Sequence, residues 1–397
     1  MKIAHIVGPP PQASFDAAEI VRSLARQQQA RGDDARVLWV ADPETPDPTD
    51  VTAVSVRRVA SRGSAGRTIP EPKGERVNLA RLLPEVLAER GPDVLHCHAA
   101  RSLGATVRTA ATRRRIPYVI HLHDGDAEWL DRGSGGRTEG RAGGWRRIQT
   151  ALFGERRILQ DAALILTDSI VDRDRALAAA PGRRVEALPR GVDAAAIRRG
   201  NGGRARARLG IPDEVPVLLT IGPIGPRQNQ EALVDVLVAT AAHVILVGPV
   251  ESPDYDARLR VRSRAFGVEN RVHDAGPAVL QALDFADLYA AANAFVLPFR
   301  EGSSDGAVLE AWAACVPVVV TRSSSDLVVG GDTGLVVATD DTKALTASVA
   351  RVLRDETLRS GLTGRAVHLV AVRHDWPAVT AQLDGLYREA GAQERES

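Results

Sequence analysis

The chain reads as an α/β protein built of two doubly wound, parallel-sheet domains. Three observations carry this reading. Short apolar strand patterns alternate with amphipathic helical patterns in both halves, a stretch without apolar periodicity separates the two sets, and the length exceeds what one hydrophobic core usually serves. At 397 residues, two domains of roughly 200 residues each are expected.

The first set of strands is Lys2 to Val7, Ala35 to Val40, Val94 to His98, Tyr118 to His123, Ala163 to Thr167 and Val185 to Leu188. Strands covered on both faces are apolar at nearly every position, and parallel neighbours need helical crossovers between them. Residues 194–212 centre on R-R-G-N-G-G-R-A-R-A-R and show no apolar period until Val215, which predicts a linker. The second set is Val215 to Ile221, His243 to Val247, Val272 to Asp274, Ala294 to Leu297, Val316 to Val320 and Leu335 to Val337. A closing helix over 375–392 carries Trp376, Val379, Leu383, Leu386 and Tyr387 at helical spacing. The expected domains are therefore 1–193 and 213–374.

One segment breaks the rhythm. Arg132 to Arg147 holds six glycines and five arginines around a single Trp, too polar to fix a fold by itself. It is either a solvated insertion or a mobile loop that closes over an anionic or lipid-linked acceptor, since it directly follows a histidine-bearing strand.

Lys plus Arg (51) nearly cancels Asp plus Glu (50), which argues against the broad basic surface that nucleic-acid binding requires. Only Lys2, Lys73 and Lys343 are lysines, so a functional arginine must be argued from its position. Cys97 and Cys315 fall in or before apolar strand patterns in different domains and read as reduced core thiols. The N-terminus runs straight into a strand, and no apolar stretch reaches the roughly 18 residues of a membrane-spanning helix. A cytoplasmic protein is expected, whose membrane contact, if any, is peripheral.

The stretch from Asn293 to Val337 is the most informative chemically. It reads as one βαβ unit: strand Ala294 to Leu297, helix Ser303 to Ala314, strand Val316 to Val320. Glu301 and Gly302 occupy the loop between strand and helix. A carboxylate and a helix N-terminus thus converge at the carboxyl edge of a parallel sheet, where ligands bind and phosphate is favoured. Ser303, Ser304 and Asp305 are N-cap candidates, and the amides after them, from Gly306 on, are left unpaired by the helix.

These residues resemble the donor-site region of the retaining glycosyltransferases of family four. The resemblance rests on Glu301-Gly302, Leu309-Glu310-Ala311, Pro317-Val318-Val319 and Asp332-Thr333-Gly334-Leu335-Val336, with weaker echoes along nearly the whole chain. Pro92 to His98, His121-Leu122-His123-Asp124, Pro189-Arg190-Gly191-Val192-Asp193 and Asp287 to Ala292 follow in the family's order. It implies the GT-B fold, two Rossmann-like domains facing a central cleft, with the last helix crossing back onto the first domain. It also implies a nucleotide-sugar donor, a glycan or lipid-linked acceptor, and no metal or other cofactor.

Residue by residue, the resemblance gives Glu310 the ribose hydroxyls and Glu301 the transferred sugar or the charge at its anomeric carbon. Glu310 is in register when counted from Pro298, whereas Glu301 is displaced by one, with Gly302 at the usual position. His123 and Asp124 would position the acceptor or the departing sugar, with Gly8, His98 and His121 on the same acceptor side. Gly8-Pro9-Pro10-Pro11 replaces the family's glycine-rich first loop by a stiff turn. Ser323-Ser324-Ser325 replaces paired glycines, so backbone approach to a ligand beside Arg322 is less free.

The phosphate side departs further. The segment after the second domain's first strand is Gly222-Pro223-Ile224-Gly225-Pro226-Arg227-Gln228, with Pro223 at the family's arginine position and Gln228 at its lysine position. Loss of one fixed transition-state donor costs about 3–4 kcal/mol. Arg227, one residue away, is the candidate replacement. The alternative is a catalytically silent scaffold that binds a ligand or a partner enzyme.

On the first-domain strands His96 and His98 share one face, as do His121 and His123. No carboxylate at a recognised spacing completes a ligand set, so no metal is expected.

Overall fold

The computed structural model describes residues 1–8, 16–41, 55–60, 68–70, 76–78, 84, 86, 91–123, 155–276, 279 and 282–396. The loop 132–147 and Asp124 lie outside them. The chain divides into two compact units, Met1–Arg190 with Trp376–Ser397, and Gly191–Asp375. Each is an α/β unit around a parallel sheet.

Unit 1 holds β1 (Lys2–Val7), β2 (Asp34–Ala41), β3 (Ser55–Ala60), β4 (Thr68–Pro70), β5 (Arg76–Asn78), β6 (Val94–Cys97), β7 (Tyr118–Leu122), β8 (Leu164–Thr167) and β9 (Val185–Ala187). Its seven-stranded parallel sheet runs β3-β2-β1-β6-β7-β8-β9, and β4 and β5 form a separate antiparallel pair. Alternate residues serve opposite faces, as the pleat demands. Ile3, Val7, Val94, Val119, Leu164 and Leu166 pack under the helices Asp16–Ala30 and Trp376–Glu396 through Val21, Leu24, Trp376, Val379 and Leu383. Ala4, Ile6, Leu95, Cys97, Ile120 and Ile165 pack under the helix Arg101–Arg114.

Unit 2 holds β10 (Val217–Ile221), β11 (His243–Val247), β12 (Val272–Ala275), β13 (Ala294–Leu297), β14 (Val318–Thr321) and β15 (Leu335–Val337), all parallel, in the order β12-β11-β10-β13-β14-β15. One face buries Val217, Leu219, Phe295, Leu297, Val318 and Val320 beneath the helix Asp305–Ala313, and the other buries Leu218, Val244, Leu246, Val296 and Val319.

Two expectations are corrected. Residues 194–212 are not an aperiodic linker but two short helices, Ala194–Ile197 and Gly202–Leu209, capped by Asp193 and Asn201. Their glycines are contact points: a Cβ on Gly200 would lie 2.0 Å from the Ala286 carbonyl oxygen, and one on Gly202 2.3 Å from that of Ala290. The second helix therefore lies directly on the backbone of the helix Phe285–Ala291, and Gly and Ala205 fill an interface where large apolar residues would have shown a period. Cys315, expected in the core, is exposed in a positive-φ turn before β14, whereas Cys97 is buried.

Asp287 fastens this interface. Its Oδ1 accepts the Asn201 amide at 2.7 Å and the Arg204 guanidinium at 2.8 Å while the side chain is buried. Burial acts to raise the carboxyl, but these donors outweigh it and hold it below its ordinary 3.8. A depressed native-state value lends stability above the unfolded value that is lost as the pH falls through the folded one. Asp287→Ala is expected to cost about 1.5–3 kcal/mol at pH 7 in urea unfolding. The gap to wild type should narrow below pH 3.8.

Candidate functional site

In unit 1 the apolar face beneath the first and last helices turns polar toward the carboxyl edge of the sheet. Strict alternation produces this: Ile3 is followed by His5, Val94 by His96 and His98, Val119 by His121 and His123, and Leu166 by Asp168. The register sets His5 opposite His96 and His96 opposite Val119, so all these side chains share one face. His96 stacks on His98 at 4.0 Å between ring centroids, and His121 meets His123 at 4.1 Å.

A hydrogen-bonded row runs through them. Gln28 Oε1 faces His5 Nε2 at 2.7 Å, His5 Nδ1 faces His98 Nε2 at 2.9 Å, and His98 Nδ1 faces His123 Nε2 at 3.1 Å. Asp168 ends the row, taking His123 Nδ1 at 3.0 Å and His121 Nε2 at 3.0 Å. Tyr387 of the closing helix meets His96 Nδ1. Burial pushes His5 and His121 down to about 4, and His96 and His98 well below their ordinary value. Burial acts to raise Asp168, but His123 and His121 outweigh it and keep it ionised, well below the usual carboxylate range.

Sequence reading found His98, His121 and His123 but missed His5, Asp168 and Gln28. His5 and Asp168 were signalled only by alternation, each two residues beyond an apolar position on the same face. Gly8 follows β1 half-buried, and a Cβ there would meet Leu103 at 3.5 Å.

In unit 2 the loops after β10, β13 and β14 are tied to one another. The Arg300 amide donates to the Arg227 carbonyl at 2.7 Å, and the Arg300 guanidinium reaches Asp340 at 2.6 Å and the Pro226 carbonyl at 3.3 Å. Thr321 and Ser323 hydroxyls donate to the Phe299 carbonyl at 2.6 and 3.0 Å, and buried Ser324 donates to the Leu297 carbonyl at 2.9 Å. The serine triplet thus pins the β13 loop to the β14 loop.

The capping expectation is corrected. The helix Asp305–Ala313 has Ser304 at its N-cap position, yet no side chain caps it. Ser303 is spent on Phe299 and Thr339, and Asp305 accepts from Ser325 at 2.5 Å. Asp305 and Gly306 open the helix, and its first-turn amides point away from any preceding helical carbonyl. Glu310, four residues further along, is half-buried, and its Oε2 accepts the hydroxyl of buried Tyr289 at 2.7 Å. Tyr289 was legible only as part of a helix, and it is the group that orients Glu310. Burial, reinforced by Glu310, pushes its hydroxyl well above its ordinary value, so it remains a donor. Glu301 and Gly302 are exposed, with Gly302 in the left-handed region at φ 92°.

Arg227 is exposed and paired with Glu251 at 2.6 Å, and Gln228 is buried with its side-chain oxygen unpartnered. Arg322 is exposed and has no side-chain partner among the described residues.

Residues 17–191 match the glycosyl transferase 4-like domain, and residues 215–355 match glycosyl transferases group 1. A D-inositol 3-phosphate glycosyltransferase of Acidothermus cellulolyticus is 30% identical over 94% of this chain and 86% of its own. A GDP-mannose-dependent alpha-(1-6)-phosphatidylinositol monomannoside mannosyltransferase of Mycolicibacterium smegmatis is 30% identical over 68% of this chain and 78% of its own. Among solved structures, Anabaena Alr3699/HepE in complex with UDP superposes with a TM-score of 0.71 at 19% identity, over 98% of this chain and all (100%) of that one.

The Gly222 loop depends on a close backbone contact: a Cβ on Gly248 would lie 2.1 Å from the Gly222 carbonyl oxygen. Gly248→Ala is expected to cost about 1–3 kcal/mol as a lowered melting temperature. Gly364→Ala, in open space on a helix, should not destabilise.

Proposed function

The chain belongs to the glycosyltransferases that join a glycosyl transferase 4-like domain to a group 1 domain, and from that premise we propose that it transfers a hexose-type sugar from a nucleoside diphosphate to a hydroxyl of a glycan or lipid-linked acceptor, with retention. The observation that carries this reading is Glu310, a carboxylate in the helix that follows β13, fixed by buried Tyr289. A ribose presents hydroxyls to such a carboxylate, and the first turn of the same helix presents amides to a diphosphate. The UDP bound by the Anabaena structure and the GDP-mannose of the mycobacterial relative support a pyrimidine or purine nucleoside diphosphate. The inositol-based acceptors named for both curated relatives support a polyol hydroxyl, free or lipid-linked.

In this reading Glu301 faces the transferred sugar, Ser303, Ser304, Asp305 and Gly306 bring the helix start to the phosphates, and Gly222 lets the β10 loop approach the donor. Arg227 and Arg322 supply positive charge without a metal at the donor site. His123, with Asp124, positions the acceptor, supported by His98, His121 and Gly8. Arg227 must leave Glu251 to reach a phosphate. An exposed pair is worth only about 0–1 kcal/mol, less than a charge-assisted phosphate contact returns. The second reading, a catalytically silent scaffold that binds a ligand or a partner enzyme, is favoured by Pro223 and Gln228 at the two positions where the family resemblance implies cations.

Glu310→Ala should weaken nucleoside diphosphate binding by about 1–3 kcal/mol in calorimetry; unchanged binding would remove the assignment. Arg227→Ala should lower turnover about a hundredfold with binding and fold retained, and Gln228→Lys should recover part of that loss. Wild type that binds nucleotide but turns over no donor would establish the scaffold reading.

A further inference from the structure

The row of imidazoles in unit 1 has a proton-counting problem. Gln28 Oε1 can only accept, so the proton of neutral His5 sits on Nε2 and its Nδ1 accepts from His98 Nε2. His98 Nδ1 then carries a lone pair. At the other end the Asp168 carboxylate also only accepts, so His123 carries its proton on Nδ1 and presents a lone pair at Nε2. With the Gln28 amide oriented in this way, two lone pairs face each other 3.1 Å apart. Beside them His121 donates Nε2 to the same carboxylate, and its Nδ1 is buried with no hydrogen-bond partner.

We propose that His98, His121 and His123 form a binding site for one first-row transition dication of the zinc class, with Asp168 holding the outer nitrogens of His121 and His123. One nitrogen from each of the three histidines lies within 4.8 Å of the others. A tetrahedral zinc–nitrogen distance of about 2.0–2.1 Å spaces its ligands about 3.4 Å apart, so the His98–His123 pair is already at ligand spacing and the widest separation closes by little more than about 1 Å. Metal-bound imidazoles characteristically give their other N–H to a carboxylate, which orients the ring and raises its basicity. Here one carboxylate serves two rings, and His5 backed by Gln28 serves the third.

The ligand chemistry agrees. Imidazole nitrogens select zinc, cobalt or nickel over magnesium or calcium. Cys97 is no ligand, because it packs on the opposite face of its strand and donates to the Ala99 carbonyl at 3.1 Å. Three protein ligands leave a fourth position for water or a hydroxyl-bearing molecule. The carboxylate that sequence spacing lacked is Asp168, directly after β8, the strand that pairs with the strand of His121. The site lies in unit 1 and uses the histidines that the proposed function gives to the acceptor side, but its test reads metal uptake and needs neither acceptor nor nucleotide.

Calorimetric titration of the chelator-stripped full chain with zinc chloride, paired with the visible spectrum of the cobalt form, tests it. The expected result is one equivalent bound, with cobalt bands of a nitrogen and oxygen site and no thiolate charge transfer. His98→Gln and His123→Gln should each weaken uptake at least about tenfold, and Asp168→Asn about 10–100-fold. His273→Gln, which breaks the other close imidazole pair at 2.9 Å from His243, should leave uptake unchanged. The proposal is overturned if wild type takes up no stoichiometric zinc, a result that needs no folded variant, or if uptake is indifferent to His98 and His123.

Discussion

A parallel sheet covered on both faces admits almost no unsatisfied polar group, and this constraint shapes both units. Strand interiors must be apolar, so polar side chains collect where strands end, at the carboxyl edges. In unit 2 that edge carries the loops after β10, β13 and β14, and each is fixed by the backbone of another through Arg300, Thr321 and Ser324. In unit 1 the polar residues begin inside the strands, and burial is tolerated because each imidazole finds another imidazole, Gln28, Tyr387 or Asp168.

What the sequence made legible follows the same constraint. Runs such as V-L-L-T-I, H-V-I-L-V and A-F-V-L are strands because nothing else buries so continuous an apolar surface in so few residues, and the βαβ unit around Glu310 followed from them. β3 escaped notice because S-V-R-R-V-A carries two central arginines at the edge of its sheet. The helices within 194–212 were missed because their interface is made of glycine and alanine against backbone. Three functional contacts were beyond reach for a different reason: Tyr289 lies 21 residues from Glu310, Asp168 lies 45 from His123, and Gln28 lies 23 from His5. Only folding brings them together. The capping role assigned to Ser303–Asp305 failed because Ser303 bonds the Phe299 carbonyl and Thr339, and Asp305 bonds Ser325 of the β14 loop.

The donor side trades charge for order. In the proposed reading Pro223 and Gln228 stand where the family resemblance implies cations, and the loop that holds them is fixed by its backbone: Gln230 donates to the Pro223 carbonyl at 2.8 Å, and the Ile224 amide donates to the Pro249 carbonyl at 2.8 Å. Under the proposed function, preorganised amides and one exchangeable arginine would carry the electrostatic load that the resemblance gives to two fixed cations, and their worth depends on how completely water is excluded when a donor binds. Glu310 is less affected, because its orientation derives from a buried tyrosine and not from the missing charges.

The central claim is that unit 2 binds a nucleoside diphosphate. Its most direct test is the melting temperature of the intact chain against a panel of nucleoside mono- and diphosphates. A ligand at about a hundred times its dissociation constant stabilises the native state by about 2.7 kcal/mol, so at least one diphosphate should raise the transition by several degrees, and its monophosphate by less. A flat profile across the whole panel would contradict the account.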